Sequence, residues 1–336
     1  MSASRPAQGR TRGRDQDGPP APARLEAALV APFLPDRPSE GHKGTFGHVL
    51  AVAGSLDWTG AGLLSGAAAL RTGTGLVTLA VPSTLQPVVA GRVPELMTLG
   101  LPEAEPHVVD PVRAADAIAR HPHTALVLGP GLRPGPATTE LVLRVLEGSG
   151  EPAGEGRGVA DGVPAPAVID ATALAALAAV EEWWERRVRL CVLTPHPGEF
   201  ARLDGAPVGP MDADRRDRAR AAAARWGVVV VLKGARTVVA APDGRVAVAS
   251  FANPALATGG TGDVLAGVIG SLLAQGVPTW EAACLGVHLH GTAGERLRER
   301  LGDAGVVASD LLGELPLARR DLARRGGDRR IGFAPR

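Results

Sequence analysis

Asn253-Pro-Ala-Leu-Ala-Thr-Gly-Gly-Thr-Gly-Asp-Val-Leu-Ala-Gly-Val-Ile-Gly-Ser-Leu-Leu-Ala-Gln-Gly276 joins a glycine-rich turn to an apolar helix. The turn is Thr258-Gly259-Gly260-Thr261-Gly262. Val264, Leu265, Val268, Ile269, Leu272 and Leu273 then recur at the spacing of one buried helical face, with Gly276 as the stop. A turn with so few side chains lets backbone N–H groups close around an anion, and the helix dipole adds attraction at the same end. Asp263 sits in the first helical turn, beside this anion-shaped loop. A carboxylate there is an ordinary helix-start preference. It is also where a base belongs that takes the proton from a hydroxyl attacking a phosphoryl group.

The rest of the composition narrows the field. Among 336 residues, 36 Lys and Arg nearly balance 35 Asp and Glu, so no global field favours nucleic acid or a membrane surface. Tyr is absent and Phe and Trp number five each, which argues against aromatic stacking as the main hold on a ligand. Cys191 and Cys284 lack the spacing of a zinc site or a disulfide framework and read as buried small hydrophobes in a reducing compartment. No apolar run reaches the roughly 18 residues of a membrane span, and the N-terminus has no signal-peptide core. A cytoplasmic location is expected.

Residues 1–24 are rich in Arg, Pro, Gly, Ser and Ala without apolar period and read as a disordered tail. Residues 148–164 form a second low-complexity patch, read as a surface insertion, and 321–336 as a basic C-terminal tail. Between them, 25–320 reads as one domain. His48–Ala53, Leu76–Val81, Ala125–Leu128, Ala167–Ile169, Leu190–Leu193 and Val228–Leu232 are continuous apolar runs alternating with helical stretches, the pattern of a buried parallel sheet. Thr237–Ala241 and Arg245–Ser250, around Pro242-Asp243-Gly244, read as a hairpin. Ligands of such sheets bind beyond the C-terminal strand ends.

The loops at those ends carry chemistry. Gly129-Pro130-Gly131-Leu132 follows one strand, and its glycines permit close approach of a ligand or a simple turn. Asp170 ends the next and suits either water-mediated magnesium binding or a helix cap. Thr194-Pro195-His196-Pro197-Gly198-Glu199 presents a histidine between two prolines; Glu199 reaches a metal or caps the following helix. Lys233-Gly234-Ala235-Arg236-Thr237 offers phosphate a charge and a hydroxyl. His288 and His290, two apart on a late helix, diverge and read as packing and capping residues.

Together with His42-Lys43-Gly44-Thr45-Phe46-Gly47, Thr59–Leu63 and Asn253–Gly267, these motifs resemble, in order from about Gly41 to Leu317, the ADP-dependent (S)-NAD(P)H-hydrate dehydratases of the ribokinase-like superfamily. The resemblance implies a three-layer α/β sandwich with a central, mostly parallel sheet and helices on both faces. It implies dehydration of hydrated NADH or NADPH (NADHX, NADPHX) with ADP as co-substrate and Mg²⁺ as cofactor. Asp263 is then the catalytic base and a substrate contact, and Ala61, Gly129, Gly131 and His196 contact the hydrated nucleotide. Lys233, Gly234, Ala235, Arg236, Thr237, Gly259, Gly260, Thr261 and Gly262 form the nucleotide site. Arg236 falls at a variable position and carries no individual role.

Asp170 and Glu199 are the candidate metal ligands. This chain has Thr172 and Ala175 where the relatives have a second acid and an Asn, which puts any role of those two positions in doubt. A homo-oligomer, with a tetramer as one form, and a separate epimerase complete the expectation. Two alternatives stay open: a small-molecule kinase of the same superfamily, acting on a vitamin precursor such as a hydroxymethylpyrimidine, and a nucleotide-sensing protein without chemistry.

Overall fold

The computed structural model describes residues 21–148, 159–160, 163–186, 190–209 and 211–330. Among the described residues ten strands make the central sheet: β1 (Ala23–Leu25), β2 (His48–Val52), β3 (Leu76–Pro82), β4 (Met97–Leu101), β5 (Ala125–Leu128), β6 (Ala167–Ile169), β7 (Cys191–Leu193), β8 (Val229–Leu232), β9 (Val238–Ala240) and β10 (Val246–Ala249). Their order across the sheet is β1-β10-β9-β8-β7-β6-β5-β2-β3-β4. β9 pairs antiparallel with both β8 and β10, and every other pairing is parallel.

Nine helices of seven residues or more flank the sheet among the described residues: α1 (Thr59–Thr72), α2 (Pro111–Arg120), α3 (Pro136–Glu147), α4 (Thr172–Ala178), α5 (Pro197–Asp204), α6 (Asp212–Trp226), α7 (Thr261–Ala274), α8 (Thr279–Leu301) and α9 (Asp310–Arg330). The strands are buried on both faces, which is why they read as unbroken apolar runs. In β2, Val49 and Ala51 pack under α1, α7, α8 and α9, while Leu50 and Val52 pack under α2–α6. The result is the expected three-layer sandwich.

Topology fixes where ligands go. β3 and β4 lie to one side of β2, and β5 to β8 follow on the other, so the winding reverses between β2 and β5. The helices after these strands, α1 and α3, leave to opposite faces, opening a crevice at the strand ends. Gly54 N–H donates to the Pro130 carbonyl at 2.7 Å across it. Glycine is required on its far wall. Gly129 has φ +121°, and a Cβ there would come within 1.9 Å of the Asp170 carbonyl; Gly131 has φ +63° and abuts the Trp58 carbonyl.

Several expectations shift. The tail boundary at 24 is two residues too late, since β1 starts at Ala23 and pairs Ala23 and Arg24 with Ala247 and Val248 of β10; Leu25, the first residue assigned to the domain, is fully buried. The C-terminal boundary at 320 is too early, since α9 runs to Arg330 and Leu322 packs into the core. Of the insertion, Val159–Ala160 and Val163–Pro164 pair as a short hairpin. Residues 1–20, 149–158, 161–162 and 331–336 of these segments lie outside the described residues. α7 is buried on all sides from Val264 to Ala274, not on one face, because it lies between the sheet, α1 and α8. Cys191 and Cys284 are both buried, and neither forms a disulfide. Among the described residues no helix is long and apolar enough to cross a membrane.

Candidate functional site

The site assembles at the carboxyl ends of β5 to β8 around the start of α7. Gly260, at φ +91°, caps α7, and no side chain satisfies the helix N-terminus. The first N–H groups of a helix have no intrahelical partner, so those of Thr261, Gly262 and Asp263 stand available to an anion. The Thr261 hydroxyl is used internally, donating to the carbonyls of Leu256 and Thr258 at 3.0 Å each, and so ties the loop closed.

Lys233 lies over this loop. A Cβ on Gly262 would sit 3.3 Å from its Nζ. The Lys233 ammonium donates to Asp170 Oδ1 at 2.8 Å and lies 3.8 Å from Glu199 Oε2. Burial alone pulls the ammonium's pKa down, but Asp170, Glu199 and then Asp263 outweigh it and hold the pKa above the ordinary lysine value. Asp170 is 1% exposed and also accepts from the Thr194 hydroxyl at 2.8 Å. It does not cap the next helix: Ala171 occupies that position and no side chain caps it.

Asp263 has the opposite environment. Burial first, then the charges of Asp170 and Glu199, push its carboxyl up to about 7 against the pull of Lys233. A carboxylate with that pKa at an anion-shaped loop is matched to proton abstraction near neutral pH.

His196 is presented as the sequence suggests, with a further duty. Its Nδ1 accepts from the N–H groups of Gly198 and Glu199 at 3.0 and 3.3 Å, while Glu199 Oε2 accepts from His196 N–H at 2.8 Å. This reciprocal cap starts α5; the ring is half-exposed, with Nε2 3.7 Å from Glu199 Oε1. Glu199 therefore caps and also faces Lys233. We expect His196→Asn, which can still cap, to keep the melting temperature while raising KM for the hydrated nucleotide about tenfold, the scale of a lost hydrogen bond. His196→Ala should in addition cost about 1 kcal/mol of stability. Unchanged kinetics in His196→Asn would leave the histidine as a cap alone.

A cleft of about 430 Å³ opens beside Lys233 and runs between the Gly234–Thr237 turn, Asn253–Ala257 and the start of α7. Lys233, Gly234, Ala235, Thr237, Thr261 and Gly262 line it. Arg236 does not; its guanidinium is directed to Asp212 at 3.4 Å. Ala61 and Gly131 meet each other across the crevice, a Cβ on Gly131 falling 2.7 Å from that of Ala61.

Two residues escape the sequence reading. His290, assigned to packing, lines the cleft, and its Nε2 donates to the Thr261 carbonyl at 3.0 Å. Burial pushes its pKa down to about 4, so it is neutral at pH 7. Arg215 on α6 is buried and donates to the carbonyls of Ala235 (2.7 Å) and Lys233 (3.2 Å), holding the turn that carries Lys233. Arg215→Met should raise KM for ADP about tenfold with a smaller change in kcat, because the turn and not the chemistry loses its support. Equal losses in both constants would contradict a positioning role.

Among the described residues no three His, Cys, Asp or Glu side chains converge to hold a metal ion. Asp170 and Glu199 face Lys233 and do not form a cage for magnesium.

The NAD(P)H-hydrate dehydratase family matches residues 49–317. The ADP-dependent (S)-NAD(P)H-hydrate dehydratase of Neisseria meningitidis is 38% identical over 307 residues, covering 90% of this chain and 93% of that protein. A bifunctional NAD(P)H-hydrate repair enzyme of Moorella thermoacetica is 42% identical over 299 residues, covering 89% of this chain and 54% of its own length. The chain spans about half the length of the bifunctional relatives it matches. The crystal structure of the ADP/ATP-dependent NAD(P)H-hydrate dehydratase of Bacillus subtilis, co-crystallized with ATP/Mg²⁺, aligns with a TM-score of 0.74 at 31% identity, covering 89% of this chain and 98% of that one.

Proposed function

The chain belongs to the NAD(P)H-hydrate dehydratase family, and from that premise we propose that it restores (S)-NADHX and (S)-NADPHX to NADH and NADPH at the expense of ADP. The observation that carries this reading is the Asp263 carboxyl, raised to about 7 and set at an uncapped helix N-terminus beside Lys233.

Asp263 takes the proton from the C6 hydroxyl of the hydrate as that oxygen attacks the terminal phosphorus of ADP. The P–O bond to AMP breaks, and the N–H groups at the start of α7, with Lys233, hold the charge that develops on the transferred group. Phosphorylation makes the C6 oxygen a good leaving group. The lone pair of the ring nitrogen expels phosphate, and loss of a proton from C5 restores the ring double bond. The products are NAD(P)H, AMP and phosphate.

Nothing among the residues counts phosphates, so ADP is favoured on the strength of the relatives. Mg²⁺ belongs to the proposal as an ion carried by the nucleotide phosphates and water, where it neutralises phosphate charge. A cytoplasmic location, a homo-oligomeric assembly and an epimerase that supplies the S hydrate complete the reading. Incubation with (S)-NADHX and ADP should return the absorbance of NADH with stoichiometric AMP. An unchanged spectrum over many enzyme equivalents would sink the reading.

A further inference from the structure

A second cleft, of about 220 Å³, opens at the carboxyl ends of β2, β3 and β5, at the reversal of the sheet. Pro82, Val109, Leu132 and Leu141 give it apolar walls. Ser55 lies in its lining, 3% exposed, and its Oγ has no hydrogen-bond partner. Buried hydroxyls in folded proteins are nearly always paired, so this one is suited to a ligand atom. The N-terminus of the twelve-residue helix α3 also opens here, capped by Gly135 with no side chain on its free N–H groups. Arg133 lines the same cleft and is exposed at its mouth.

This cleft continues the site already described. Leu132 lines it and directly follows Gly131, and Gly54 in its wall bonds Pro130. β6, which leads to Asp170, is separated from β2 by β5 alone and from β3 by β5 and β2. At about 4.8 Å per strand spacing, the ends of β6 and β3 lie about 14 Å apart across the sheet, a span within the reach of a dinucleotide, two nucleosides joined by a pyrophosphate. The chemistry matches in the same direction. Apolar walls with one unpaired hydroxyl suit a purine ring, and a guanidinium with an uncapped helix start suits its phosphate.

Resting on the dehydratase reading, we propose that this second cleft holds the adenosine-phosphate end of the hydrated dinucleotide while its nicotinamide end lies at Asp263. Substrate binding energy is thereby drawn from a region remote from the reacting carbon.

The test compares (S)-NADHX with the hydrate of reduced nicotinamide mononucleotide, which lacks the adenosine end, under saturating ADP. The parent enzyme should show a KM for the mononucleotide at least about tenfold higher. Ala137→Trp fills the cleft from the first turn of α3, where the side chain is half-buried. It should raise KM for NADHX about tenfold and leave the mononucleotide KM unchanged. Arg133→Ala, an exposed change that does not endanger folding, should raise KM for NADHX severalfold with the same selectivity. Equal use of the two substrates by the parent, or an unshifted NADHX KM in both variants, would overturn the subsite alone. Absence of any NADHX turnover by the parent would overturn the dehydratase reading and the subsite with it.

Discussion

Asp263→Asn is expected to bind ADP as the parent does and to lose turnover by about 10²–10⁴-fold or more, the range of a positioned general base. The substitution keeps the size of the side chain and the helix start, and leaves Lys233 and the glycine turn untouched. One negative charge fewer beside the phosphates should hold ADP affinity constant or improve it. In the parent, kcat/KM should rise with pH up to about 7 and then level, since the base must be ionised and its pKa lies there.

The same shift makes a stability statement. Between the ordinary value near 3.8 and about 7, the folded state keeps a proton on Asp263 that the unfolded chain has released, so stability contributed by this group falls as pH rises through that window. Asp263→Asn should therefore melt above the parent at pH 8, and the two curves should converge below pH 4. Full turnover in Asp263→Asn, measured as NADH return and AMP release, would reduce the aspartate to a helix-start carboxylate.

Lys233→Ala is expected to damage both binding and folding. It removes the cation between Asp170, Glu199 and Asp263 and leaves Asp170, 2% exposed at its side chain, with only the Thr194 hydroxyl. Breaking one side of such a buried pair costs about 3 kcal/mol, which corresponds to a fall in melting temperature of about 5–10 °C in a domain of this size. Lys233 holds its proton more tightly in the folded state than in the unfolded one. Its contribution is therefore fully present at neutral pH and fades only at alkaline pH. ADP affinity should drop about tenfold or more with the loss of a charged donor. The acid limb of kcat/KM should also move to higher pH, because Lys233 is the group that draws the Asp263 pKa downward. ADP affinity within about twofold of the parent would remove Lys233 from the nucleotide site.

What the sequence made legible follows from how local each signal is. β2, β3, β5, β6, β7 and β8 stand out because a strand buried on both faces is a continuous apolar run. β1 is three residues long and β4 lies at a half-exposed edge and contains Gly100, so neither leaves a pattern in the chain. The turn at Thr258–Gly262 and Asp263 are contiguous and could be read together. The ion pair of Asp170 with Lys233 joins residues 63 apart, and their separate motifs hold no sign that they meet. Arg215 sits in Asp214-Arg-Arg-Asp-Arg218, and nothing in that run singles out the one arginine that turns inward. His290 lies 29 residues from the Thr261 carbonyl it holds.

β1 covers one edge of the sheet, pairing Ala23, Arg24 and Leu25 with Ala247, Val248 and Ala249. Its chemistry is remote from Asp263, yet it hides a row of backbone donors and acceptors that would otherwise be open to another chain. A shortened protein beginning after Leu25 would present β10 as a bare, Val- and Ala-rich template. The damage would appear as self-association that grows with protein concentration, with the activity per folded molecule preserved. In this fold β1 acts as a guard against aggregation at that edge of the sheet.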